Sequence, residues 1–172
     1  MKKLFYILLI LLVPAVGLAT EYVDDNNVCG GNSPCHTTIT AAYNAASSGE
    51  TILVYPGTYQ ESVTVAKTNL TFQSTEQWAA VMDGNNGSLT YAFYMYSTNA
   101  YNTKIIGFKF QNYSVTGPYY GIVSFKYARY GELKYCWFTS NTSDVSENIG
   151  YGYFLSGGDY VIRGNKFTGN EG

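Results

Sequence analysis

Histidine is nearly missing from this chain; His36 is the only one. A cysteine nucleophile would therefore have no imidazole base to call on except His36. Methionine is scarce as well, three in all counting Met1, so the thioether and imidazole ligands that suit copper are in short supply. Charge is thin: ten Lys and Arg stand against twelve Asp and Glu, a net charge of −2. Without a basic excess the chain is a poor partner for nucleic acid, whose phosphates attract basic patches. Runs of ten or more helix-forming residues, which a helical array would need, do not recur along it. A long apolar run occurs once, at residues 4–13.

That run follows Lys2 and Lys3 and is followed by the small residues Gly17 and Ala19, the three parts of a secretory signal peptide. Residues 1–19 are expected to be removed after Ala19, giving a secreted, extracellular or cell-surface chain with no membrane span. An uncleaved anchor is the alternative, but the run is shorter than the ~20 residues a span needs, and Pro14 interrupts it. Residues 20–36 form a short polar segment carrying Cys29 and Cys35, with five residues between them that include Gly30, Gly31 and Pro34. In an oxidising compartment these two predict a disulfide-closed loop. Metal binding by Cys29, Cys35 and His36 is the rival and lacks a fourth ligand, so no metal site is expected. Cys136, between Tyr135 and Trp137, reads as a small buried hydrophobe.

Residues 37–65 read as one helix feeding a turn-punctuated strand. Ile39, Ala42, Tyr43 and Ala46 fall on one helical face, with Thr37 or Thr38 as N-cap and residues 47–49 as the stop. Residues 51–55 and 62–65 are β-branched and aromatic runs, separated by Pro56 and Gly57 as a tight turn. Beyond residue 70 the pattern repeats. Residues 105–110, 133–138 and 162–167 align on Phe110, Phe138 and Phe167, at intervals of 28 and 29 residues, and such a period signals a stacked array. A second register, residues 91–96, 120–125 and 151–156, precedes each.

The order from residue 41 to 63, AAYNAASSGETILVYPGTYQESV, resembles the N-terminal cap and first coil of right-handed parallel β-helix proteins, the pectin-lyase-like superfamily. The resemblance implies an all-β, right-handed parallel β-helix with a short capping helix over residues 37–172, its coils stacked so that Phe110, Phe138 and Phe167 share one interior column. It also implies asparagines at the tight turns. Asn165, Asn170 and Asn141 match that pattern, whereas Phe108 and Cys136 depart from it, so an unbroken asparagine ladder is not expected. An antiparallel β-sandwich is the alternative, and it leaves the cap helix and the common period without a cause. No polar cap segment is visible after residue 167, so the expectation is either a piece of a longer protein, the favoured reading, or a partner over an open edge.

The resemblance further implies where chemistry would sit. Lyases of such a family use acidic residues that hold calcium and a nearby Arg or Lys as base. Hydrolases place Asp residues on adjacent coils around a water. Here Asp24 and Asp25 precede the cap helix and Asp83 lies in a turn-like stretch. Asp144, Glu147, Asp159 and Arg163 remain as weak catalytic candidates; a solvated loop is the blander reading of the same residues. Tyrosine gives the stronger signal, with thirteen of the 18 between Tyr91 and Tyr160. Tyr96, Tyr127, Tyr130 and Tyr160 fall beside turns or polar residues and are candidates for carbohydrate binding, since an aromatic face with a wet hydroxyl suits a sugar ring. Asn69, Asn86, Asn112 and Asn141 each begin a glycosylation sequon. The expected function is a secreted or surface module, glycan-binding, adhesive or structural, without catalysis or cofactor in this segment. The alternatives are a polysaccharide lyase, with calcium, or a glycoside hydrolase whose active coils extend past residue 172, and a copper-delivery protein.

Overall fold

The computed structural model describes residues 19–116, 121–143 and 158–171. Nearly all of the expected leader, residues 1–18, lies outside them, as do Asp144, Glu147 and the run 151–156. Among the described residues no helix is long and apolar enough to cross a membrane.

The described residues are mostly β, with one α-helix, Ile39–Ala45, and parallel pairing throughout. A seven-stranded sheet brings together, among others, Thr51–Val54, Thr71–Ser74, Lys104–Ile106, Glu132–Lys134 and Val161–Arg163. A five-stranded sheet is built from Gly57–Tyr59, Ala80–Asp83, Lys109–Gln111, Trp137–Thr139 and Lys166–Thr168. A three-stranded sheet contains Val63–Val65, Phe93–Met95 and Val123–Ser124, and Ser114–Val115 pairs with Thr142–Ser143 in a fourth. In each sheet successive strands come from successive repeats, so equivalent side chains stack. Ile52, Phe72, Ile105, Leu133 and Ile162 form one such column. Tyr59, Met82, Phe110, Phe138 and Phe167 form another. The rings of Phe110 and Phe138 lie 4.8 Å apart and those of Phe138 and Phe167 5.0 Å apart, both stacked, but Phe167 is 40 % exposed, so only the first two are interior as expected. Phe93, from the three-stranded sheet, approaches Phe72 to 5.0 Å and Phe110 to 6.2 Å, so the three larger sheets share one apolar core.

The runs 105–110, 133–138 and 162–167 each hold two strands, in different sheets, because Gly107, Tyr135 and Gly164 turn the chain between them with positive φ. A reading of the sequence changes at Gly57, which opens a strand rather than completing a turn: it pairs in register with Ala80.

The helix begins at Thr38, whose hydroxyl accepts from Ala41 N at 3.1 Å. The Glu61 carboxylate accepts from Ile39 N and Thr40 N at 2.7 and 2.8 Å, placing negative charge where the free amides of a helix start favour it. Its C-terminus stops at Ala45, earlier than the apolar spacing suggested, because Lys67 Nζ gathers the carbonyls of Tyr43, Asn44 and Ala46 at 2.7, 3.0 and 2.7 Å. Ahead of the helix, Cys29 and Cys35 form the disulfide. Asp24 accepts from Cys29 N at 3.0 Å, and His36 Nε2 meets Glu21 Oε2 at 2.6 Å.

Three corners between the sheets are lined by residues of left-handed backbone. Asn69, Asn102 and Tyr130 (φ 58, 55 and 58°) follow one another at the corner that leads into the seven-stranded sheet. Trp78, Gly107, Tyr135 and Gly164 (φ 67, 79, 56 and 68°) hold the corner between the seven- and five-stranded sheets. Asn112, Ser140 and Gly169 (φ 60, 55 and 60°) hold the one after the five-stranded sheet. Asparagine and glycine tolerate this conformation; tryptophan and tyrosine do so at a cost of roughly 1–2 kcal/mol each. The asparagines close neighbouring repeats together. Asn165 Oδ1 accepts from Cys136 N at 2.8 Å, Asn170 Oδ1 from Asn141 N at 3.1 Å, and Asn141 Oδ1 from Tyr113 N at 3.0 Å.

Candidate functional site

Tyr130 stands at the corner where the two preceding repeats carry asparagine. There Asn102 Nδ2 donates to Asn69 Oδ1 at 2.9 Å and Asn102 N donates to Arg129 O at 2.8 Å. The backbone is thus registered to its neighbour, and a ring rather than an amide projects from the corner. Just before Asn102, the 3-10 turn Thr98–Ala100, capped by Ser97 Oγ accepting from Asn99 N, delivers Tyr101 to the same surface. Tyr127 is fixed from the other side by its N–H donating to Met95 O at 3.3 Å.

These elements enclose a cavity of 530 Å³ lined by Thr98, Tyr101, Tyr127, Arg129 and Tyr130. Its rings remain accessible: Tyr101 is 42 %, Tyr127 39 % and Tyr130 51 % exposed. Tyr96, 57 % exposed, meets the Tyr127 ring edge-on at 5.7 Å and extends the aromatic surface beyond the cavity. Lys126 Nζ lies 5.6 Å from the Tyr127 ring centroid. The Arg129 guanidinium faces no carboxylate among the described residues, so its five donors are available to a ligand. Three flat faces with hydroxyls at their rims and one planar cation can stack on a ring and hydrogen-bond its substituents.

Of the tyrosines singled out from the sequence, Tyr96, Tyr127 and Tyr130 come together here. Tyr160 instead turns inward, donating its hydroxyl to Ala128 O at 2.5 Å and packing against Phe125 at 5.8 Å. Sequence reasoning missed Thr98, Tyr101 and Arg129. Aligning Tyr101-Asn102 with Arg129-Tyr130 at the 28-residue interval places them side by side, so the signal lay in the corner register rather than in the strand runs.

The acidic candidates are not gathered. Asp159 and Arg163 are both exposed; Asp144 and Glu147 lie outside the described residues. Among the described residues no three His, Cys, Asp or Glu side chains converge as metal ligands would. Asp83 and Asp25 are engaged with amides. Asp83 ends a strand instead of sitting in a turn, and accepts from Gln111 Nε2 at 2.7 Å and Asn112 Nδ2 at 3.0 Å; Asp25 accepts from Thr58 N at 3.1 Å.

Burial holds the Cys136 thiol and the Tyr113 phenol in their neutral forms. Burial pushes the Cys136 thiol up to about 12, against the opposing pull of hydrogen bonds with the backbone of Phe108, Gly107 and Lys134. Burial and then the charge of Asp83 raise the Tyr113 phenol. Of the sequon asparagines, Asn141 is 1 % exposed, with its amide donating to Phe110 O and Asn170 Oδ1. Asn112 is tied to Asp83, and Asn69 and Asn86 are exposed.

The chain matches no family model, no curated protein and no solved structure with which it was compared.

Proposed function

We propose that the chain is a right-handed parallel β-helix module, exported to the cell surface or beyond, that binds glycan through the tyrosine cavity and does no bond-breaking chemistry in this segment. The observation that carries the binding reading is the convergence of Tyr101, Tyr127, Tyr130 and Arg129 on one cavity. Tyr130 is kept there at a left-handed corner where asparagine serves the adjoining repeats. Backbone held in an unfavourable conformation is a pointer to a binding role when the residue so held lines a cavity. For the architecture, support comes from parallel pairing of successive repeats in every sheet, from the shared core and from the helix over the first strands. The disulfide is compatible with an extracellular destination.

The test is retention on immobilised polysaccharides followed by titration with the oligosaccharide that is retained. Tyr127→Ala and Tyr130→Ala should each weaken binding about thirty-fold, the scale of losing an aromatic anchor worth ~2 kcal/mol, with no product released. Release of reducing or unsaturated ends would overturn the non-catalytic part. Undiminished retention by both variants would overturn the cavity as the site, and failure to retain any glycan would leave a structural module.

A further inference from the structure

The corner between the seven- and five-stranded sheets carries chemistry that the tyrosine cavity does not use. On the outer face of the five-stranded sheet Lys109, Trp137 and Lys166 lie on three adjacent strands in register. Lys109 Nζ is 4.7 Å and Lys166 Nζ 4.4 Å from the centroid of the Trp137 ring, and Lys166 Nζ is 5.4 Å from that of Trp78. Two ammonium groups therefore lean towards one indole from backbones about 9–10 Å apart, twice the strand spacing. The aromatic floor is pinned: Trp137 Nε1 donates to Thr168 Oγ1 and Trp78 Nε1 to Tyr135 O, both at 2.7 Å.

Neither lysine donates to an oxygen of any described residue. The contrast with the other lysines is informative. Lys67 spends its hydrogens on three helix carbonyls, and Lys104 and Lys134 share Glu132. On the neighbouring strand Asp83 already holds two side-chain amides. Among the described residues two like charges gather on one ring with no carboxylate paired to either.

We propose that this face binds a tetrahedral oxyanion, a phosphate or sulfate, between Lys109 and Lys166 above the Trp137 indole. The hydroxyls of Thr139 and Thr168 stand beside it in register on the same face. An ammonium is a compact point charge with three rotatable donors, so two of them arriving from opposite sides suit an anion with several outward oxygens. The planar fork of an arginine is what matches a carboxylate. The contact each amine now makes with the indole is weak enough at a solvated surface to give way to a charge-assisted hydrogen bond.

Trp78 and Trp137 are the only two tryptophans of the chain, so its indole emission reads this site directly. The experiment titrates the full chain with sodium phosphate and sodium sulfate at constant ionic strength, with sodium chloride as the balancing salt. A saturable change in emission with either oxyanion and none with chloride is expected. Lys109→Gln and Lys166→Gln should each weaken it about ten-fold, the scale of one charge-assisted hydrogen bond. Lys109→Arg and Lys166→Arg keep the charge and should retain most of it, which separates lost binding from lost folding. Lys104→Gln, at the opposite end of its strand from this corner, should leave it unchanged. Glucose 6-phosphate and glucose 6-sulfate then assign the source: tighter binding than the inorganic ion means an ester on a larger ligand, and equal binding means the free anion. The proposal is overturned if chloride reproduces the change, if no oxyanion produces one, or if the double Gln variant responds like the parent.

Discussion

Tyr130 and Tyr135 are five positions apart, on either side of the strand Glu132–Lys134, and both hold left-handed backbone at a corner. Their surroundings make opposite use of the ring. At the second corner Tyr135 has glycine in the repeats before and after it. A Cβ on Gly164 would come within 2.6 Å of Tyr135 Cδ1, so one edge of the ring rests against the glycine while the ring stays 43 % exposed. At the first corner the preceding residue is Asn102, itself tied to Asn69, and the Tyr130 ring instead projects beside the rings of Tyr101 and Tyr127. The same residue type, in the same backbone conformation, leans on a neighbouring glycine at one corner and lines the proposed site at the other.

The interior is common to both corners, and its loss should be the largest effect. Phe138→Ala removes the ring stacked between Phe110 and Phe167 and should cost ~3–5 kcal/mol in denaturant unfolding; a cost below 1 kcal/mol would mean the column does not bear on both corners. Gly164→Ala attacks the second corner alone. It forces a side chain into left-handed backbone and into the Tyr135 ring, and about 2 kcal/mol of lost stability is expected with the glycan site intact. Tyr130→Gly attacks the first corner with the opposite sign: relief of the left-handed strain should raise stability by ~1 kcal/mol while glycan retention falls. A variant that lost stability as well would show the ring to be packing after all.

The smallest effect concerns the strand between the corners. Glu132 is held below the usual carboxylate range, first by its hydrogen bond with Lys134 and then by the charge of Lys104, against the opposing effect of burial. A depressed folded-state pKa contributes stability that is present above the ordinary carboxylate range and disappears as pH falls through the lowered value. The difference in stability between the parent and Glu132→Gln should therefore be present at pH 7 and vanish in acid. A gap that stayed constant with pH would remove the ion pairs from the account.

What could be read in the sequence was what periodicity carries. The helix face at Ile39 and Ala42, the column of Phe110, Phe138 and Phe167, and the closed loop of Cys29 and Cys35 all follow from spacing and composition. The corners did not, because a left-handed residue is announced by glycine or asparagine, and here Trp78, Tyr130 and Tyr135 take that conformation without either signal. The break inside runs such as residues 133–138 was therefore hidden. The cavity was half visible for the same reason: Tyr127 and Tyr130 stood out by composition, while Tyr101 and Arg129 are brought to them by a corner that the sequence pattern hid.

Trp78 has a consequence for how the chain comes apart. Its indole reaches across the repeat containing Gly107 to the carbonyl of Tyr135 in the repeat after it. In stacked repeats each unit ordinarily senses only its immediate neighbours, so opening can fray one unit at a time. A bond that skips a unit lengthens the range of that coupling. The strands Lys104–Ile106 and Lys109–Gln111 lie under the clasp, and their amide hydrogens should exchange with solvent in one concerted opening together with those of Glu132–Lys134, rather than in the graded order that position along the stack would set.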